Sequence, residues 1–133
     1  MIKLPSGVDI NNLIDDLRTF SWEASRILLH YSRVLKDSNR REDFLHNKNH
    51  DDPVTSADLE VNELIIRRIR EKYINVKWDI LSEENVKLEN NTCYQFKNWL
   101  WILDPLDGTK DFIQGTGNYA MHLALNHKQK PYI

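Results

Sequence analysis

Cysteine is nearly absent. Cys93 stands alone in 133 residues, so no intrachain disulfide can form and a reducing compartment is the expected setting. Long apolar runs are missing too. No stretch approaches the roughly 20 residues that a bilayer-spanning helix needs. The N-terminal Met1-Ile2-Lys3-Leu4-Pro5-Ser6 lacks the apolar core of a secretory leader. Together these place the chain in the cytoplasm as an expectation. An excess of one charge is lacking as well: the formal balance is -2, which gives no electrostatic reason to bind nucleic acid. There is no internal repeat and no low-complexity segment. What remains is the composition of a folded soluble chain, 41% hydrophobic and 29% charged. Its length suits one domain with a core of its own.

Hydrophobic spacing predicts two long helices. From Ile10 through Leu35, apolar residues recur every three or four positions, with Leu13, Phe20, Ala24 and Leu28 on the stripe. Asp9 is the expected N-cap. Asp37 to Asp52 is polar and reads as a loop. A second helix is expected after Pro53-Val54-Thr55, with Thr55 and Asp58 in capping-box spacing. Val61, Leu64, Ile65 and Ile69 form its buried face, and it should end near Lys72. Ile80-Leu81 ends a short strand leading into Ser82-Glu83-Glu84, and Asn85 to Asn98 reads as a loop. Trp99 to Leu103 has the continuous apolar character of a strand buried on both faces, stopping at Asp104-Pro105. Tyr119 to Leu125 is a further strand, Asn126 to Lys130 a turn, and Pro131-Tyr132-Ile133 the start of another apolar stretch. The expected fold is α/β: two long helices on an incomplete, mostly antiparallel sheet. Residues 1–133 form one domain, expected to be the N-terminal portion of a longer fold whose C-terminal domain is absent.

The chemistry gathers in Asp104-Pro105-Leu106-Asp107-Gly108-Thr109. A strand delivers two carboxylates, three positions apart, at its C-terminal end, where sheet proteins bind ligands. Pro105 fixes the backbone between them. The Leu106 carbonyl is a further hard oxygen, and Gly108 leaves room for a phosphate to approach. An Asp-Pro turn followed by an Asp-Gly turn explains the same hexapeptide without a ligand. Glu83-Glu84 lies at a second strand end. On an extended chain these two side chains point to opposite sides, one toward a metal and one behind it, although a solvated acidic turn is the usual fate of such a pair. Oxygen donors without cysteine or a nearby histidine select magnesium over zinc. Asp58 follows Asp52-Pro53-Val54-Thr55-Ser56-Ala57, where a plain helix start accounts for it.

These three motifs in this order resemble the inositol monophosphatase superfamily from about Leu13 to the end of the chain. Trp101 through Phe112, with Lys110-Asp111-Phe112 after the Asp-Gly-Thr, looks most like its 3′(2′),5′-bisphosphate nucleotidase (CysQ-type) branch. The resemblance implies a layered helix–sheet sandwich and a magnesium-dependent phosphomonoesterase. Its substrate would be a small phosphate ester, adenosine 3′,5′-bisphosphate or, as the alternative, an inositol monophosphate. It makes Glu83, Asp104, the Leu106 carbonyl and Asp107 metal ligands, and places Glu84 behind them. It has Thr109 and Asp58 position and deprotonate the attacking water. It has the Gly108 and Thr109 amides hold the phosphate, and Lys110 meet a second phosphate.

The family places one more metal-binding aspartate in a Trp-Asp motif of its C-terminal half, beyond Ile133. Trp78-Asp79 is no substitute, because it precedes Glu83. Little activity is therefore expected of residues 1–133 alone, and a non-catalytic remnant is the third reading. His30, His46, His50, His122 and His127 show no metal-ligand spacing. Trp99 and Trp101 are expected in the core. Arg67, Arg68 and Arg70 are expected on a solvated helix face.

Overall fold

The computed structural model describes residues 2–37, 53–88 and 98–133. Residues 38–52 and 89–97 of the expected loops, with His46 and His50, lie outside the described residues, and Asn85 to Leu88, expected as the start of the second loop, is helical instead. Helix α1 spans Ile10–Asp37. Asp9 caps it as expected, its Oδ1 accepting from the amides of Asn11 and Asn12 at 3.0 Å each. Helix α2 spans Pro53–Lys72. It begins three residues earlier than the spacing of Thr55 and Asp58 suggested, so Thr55 sits inside it and is not its cap. Proline at a first helical position costs no hydrogen bond, which explains the earlier start.

Strand β1, Asp79–Ser82, runs directly into a short helix α3, Glu83–Leu88. Strand β2 covers Trp99–Asp107, helix α4 Thr109–Gln114, strand β3 Ala120–His127 and strand β4 Lys130–Pro131. The four strands form one sheet in sequence order. β1 pairs with β2 in parallel, while β2–β3 and β3–β4 are antiparallel. The expected five-residue turn closes in two residues, Lys128 and Gln129. Both have positive φ, 46° and 67°, as a tight hairpin that follows the sheet's twist requires.

α2 packs on β2, and α1 packs on α2 and reaches β3. The core runs between them: Leu13, Phe20, Ala24 and Leu28 from α1, Val61, Ile65 and Ile69 from α2, and Trp101, Leu103 and Leu125 from the sheet. Trp101 is fully buried and meets Trp78 edge-on at 5.2 Å, and Trp78 in turn lies 4.8 Å from Tyr73. β2 is not buried on both faces. Trp101 and Leu103 are covered at 0% and 1%, whereas Ile102 between them is 37% exposed. The helices cover one face of the sheet, and strand alternation turns every second side chain away from them. Arg68 has a partner that spacing along the chain did not show. Still 37% exposed, it also ties α2 to α1 through Glu23, with hydrogen bonds of 2.7 and 2.9 Å.

Candidate active site

Strand β2 does not stop at Asp104-Pro105 but runs through the motif to Asp107. It does so by a bulge. Asp104 lies opposite His122 and Asp107 opposite Ala120, so three steps on β2 match two on β3. Proline, which cannot donate a ladder hydrogen bond, is tolerated at such a place, and Pro105 is fully buried there. The extra residue has a chemical consequence. On a regular strand, residues three apart face opposite sides. Here the bulge restores the phase, and the partners His122 and Ala120, two apart, share a face.

Glu83 reaches the same place from the end of β1. Its carboxyl hydrogen-bonds with that of Asp104. Burial, then this bond and the Glu83 charge, with a smaller contribution from Asp107, hold the Asp104 carboxyl above its ordinary range, while the Leu106 amide opposes the shift. That amide donates to Asp104 Oδ1 at 3.2 Å. The Leu106 carbonyl accepts from the Thr109 hydroxyl at 3.3 Å. Glu83 and Glu84 do not alternate along an extended chain, as expected from the sequence. They open α3, so the turn from strand to helix, not strand pleat, sets their directions.

Gly108 caps α4 with φ 80°, and a Cβ there would lie 2.5 Å from the Asn118 carbonyl oxygen. No other residue fits both constraints without strain. Thr109 and Lys110 are exposed on the first turn of α4. Of the residues that point to a branch, Asp111 and Phe112 have packing roles. Asp111 accepts from the Thr116 hydroxyl at 2.6 Å, and Phe112 is fully buried against Tyr119. Lys110 alone is left for a ligand. Asp58 and Glu84 are half-buried, on α2 and α3.

His122, which sequence spacing left as an ordinary strand residue, belongs to this neighbourhood. Its Nε2 lies 3.9 Å from Asp107 Oδ2. The signal for it was the register of the β2–β3 hairpin, which spacing along the chain does not show. Among the described residues, no group of three or more histidine, cysteine, aspartate or glutamate side chains is drawn together tightly enough to enclose an ion. The chemistry of the donors nonetheless suits a hard cation. Two carboxyls in contact and a third charge nearby concentrate negative potential that a divalent ion relieves, and oxygens predominate. Also among the described residues, no helix is long and apolar enough to cross a membrane.

The fold is α/β, with carboxylates at neighbouring strand ends before a glycine-capped turn. The chain belongs to the inositol monophosphatase family, whose family model matches residues 11–133 and whose members are phosphatases. It is 37% identical over 83 residues to the 3′(2′),5′-bisphosphate nucleotidase CysQ of Haemophilus influenzae, covering 61% of this chain and 29% of that one. It is 34% identical over 94 residues to an inositol monophosphatase of Dictyostelium discoideum, covering 70% and 33%. Among solved structures it is similar to inositol monophosphatase II of Staphylococcus aureus, at 26% identity and a TM-score of 0.61, over 91% of this chain and 40% of that one. The match thus spans about a third of the length of these curated relatives.

Proposed function

We propose that these residues supply the metal-binding part of a magnesium-dependent phosphomonoesterase that removes the 3′-phosphate of adenosine 3′,5′-bisphosphate. The observation that carries this reading is the meeting of Glu83 with Asp104 on the face that the bulge also gives to Asp107. Glu83, Asp104, Asp107 and the Leu106 carbonyl would hold the ion. When bound, magnesium supplies positive charge that favours a nucleophilic water and stabilises the leaving oxygen. Thr109, whose hydroxyl sits on the Leu106 carbonyl, and Asp58 orient that water and take its proton. Glu84 supports Glu83 from behind. The amides of Gly108 and Thr109 hold the phosphate while the water oxygen bonds to phosphorus. The bond from phosphorus to the sugar oxygen breaks, and the sugar hydroxyl regains a proton. The cytoplasmic placement expected from the lone cysteine is part of the same reading.

Lys110 favours a substrate with a second phosphate, since it is the exposed cation beside Thr109 on α4. An inositol monophosphate is the second reading, favoured by the comparable similarity to the Dictyostelium relative. The test is magnesium-dependent phosphate release by the gene product that carries these residues, with adenosine 3′,5′-bisphosphate and inositol 1-phosphate as rival substrates. Faster turnover of the bisphosphate, lost on Lys110→Ala, is the expected result. Release that persists without any divalent ion would reject the mechanism, and preference for the inositol ester would reject the substrate.

A further inference from the structure

Asn62 is a buried amide on the apolar side of α2, 6% exposed, beside the fully buried Val61 and Ile65. A leucine there would extend the core without penalty, whereas an amide costs free energy unless both of its polar ends are bonded. Both are. Its Oδ1 accepts from the hydroxyl of Ser82, itself fully buried. Its Nδ2 donates to Asn85 Oδ1 at 3.2 Å. Ser82 is the last residue of β1 and Asn85 the third of α3. One side chain from a long helix therefore holds the side chains immediately before and immediately after Glu83-Glu84.

That segment has no loop to absorb error, because β1 ends at Ser82 and α3 begins at Glu83. The angle at which strand turns into helix decides where the Glu83 carboxyl points, and the contact with Asp104 depends on it. We propose that Asn62 is a positioning residue for Glu83: through Ser82 and Asn85 it fixes the strand-to-helix turn and so sets the ion affinity of the site. The ion-affinity part rests on the metal reading above. Groups that orient a ligand from behind in this way typically change metal affinity by about 10–100-fold when removed.

The test separates positioning from mere stability. Asn62→Ala leaves the Ser82 hydroxyl buried and unbonded, so it should weaken both the fold and ion binding. The double variant Asn62→Leu with Ser82→Ala removes both partners and restores an apolar contact. It should recover the urea unfolding midpoint of the wild type. Yet its Mn2+ affinity, read from the electron spin resonance of free Mn2+, should stay about tenfold weaker. Without any metal, the amide hydrogens of Glu83 to Asn85 should exchange about fivefold to tenfold faster, the equivalent of one lost hydrogen bond. Should the double variant fail to fold, Asn85→Ala gives the same two readouts from the half-buried end of the relay. Exchange at Glu83 to Asn85 unchanged from wild type, in a variant of wild-type stability, overturns the proposal. A wild-type chain that binds no Mn2+ would instead overturn the metal reading, and the exchange rates would still decide on the clamp.

Discussion

Asp104 and Asp107 stand three positions apart on β2, yet they share one side of the sheet, because the extra residue in the bulge between them moves the register from His122 to Ala120. A regular strand would have sent the two carboxylates to opposite faces, and the effect of the Asp107 charge on Asp104 marks their proximity. The candidate site thus depends on an irregularity in the sheet.

Asp107→Asn is expected to weaken Mn2+ or Mg2+ binding by at least about tenfold, with the fold unchanged. The side chain is 59% exposed, so the amide costs little packing, while the charge that attracts the ion is lost. Titration calorimetry beside a far-ultraviolet circular dichroism spectrum checks both halves. Equal affinity in the variant would remove Asp107 from the ligand set.

Gly108→Ala should destabilise the fold by about 2 kcal/mol or more, since a positive φ and a backbone clash act together. The clash is with the Asn118 carbonyl, 2.5 Å from the added carbon. Gly7 provides the control. Its φ is 85° but nothing lies within 4 Å, so Gly7→Ala should cost only the conformational part, about 1 kcal/mol. Urea unfolding of both variants makes the comparison. Equal losses would mean that the approach of Asn118 to Gly108 contributes nothing.

Tyr73 should make the fold sensitive to alkali. Its hydroxyl donates to Asp16 Oδ2 at 2.6 Å. Burial first, then this bond and the carboxylate's charge, push its pKa far above the ordinary 10.0. The folded state therefore keeps a proton that the unfolded state gives up above pH 10. The stabilisation is fully present below that pH and is lost as pH rises toward the folded value. Tyr73→Phe removes it at every pH. The difference in unfolding midpoint between wild type and Tyr73→Phe should be clear at pH 8 and shrink steadily above pH 10. A difference that stays constant would show that the hydroxyl's ionisation is not coupled to folding.

Much of this protein was legible in one dimension. Both long helices follow from the spacing of residues such as Leu13, Phe20, Ala24, Val61 and Ile65, and the cap at Asp9 from its side chain. Helical contacts repeat every three or four residues, so the sequence records them directly. The carboxylates at Glu83, Asp104 and Asp107 were legible as motifs, because strand ends and an Asp-Gly turn leave a local signature.

What the sequence left open is what depends on partners distant in the chain. Whether β2 is covered on one face or two depends on where α1 and α2 come to lie, so Ile102 could not be told from Leu103 by hydrophobicity. Thr55 offered a valid cap, and only the helix's start at Pro53 set it aside. Arg68 found Glu23 because two helices cross, and His122 came opposite Asp104 because the hairpin's register fixed it there. The turn at Glu83-Glu84 is flanked by Ser82 and Asn85, and both are bonded by Asn62, twenty residues before Ser82. The sequence by itself determined which residues are candidates for the chemistry, since that is written in side-chain type and local spacing. Only the tertiary structure decided which of them share a face, since a bulge, a register and a buried hydrogen bond each join segments that no local pattern relates.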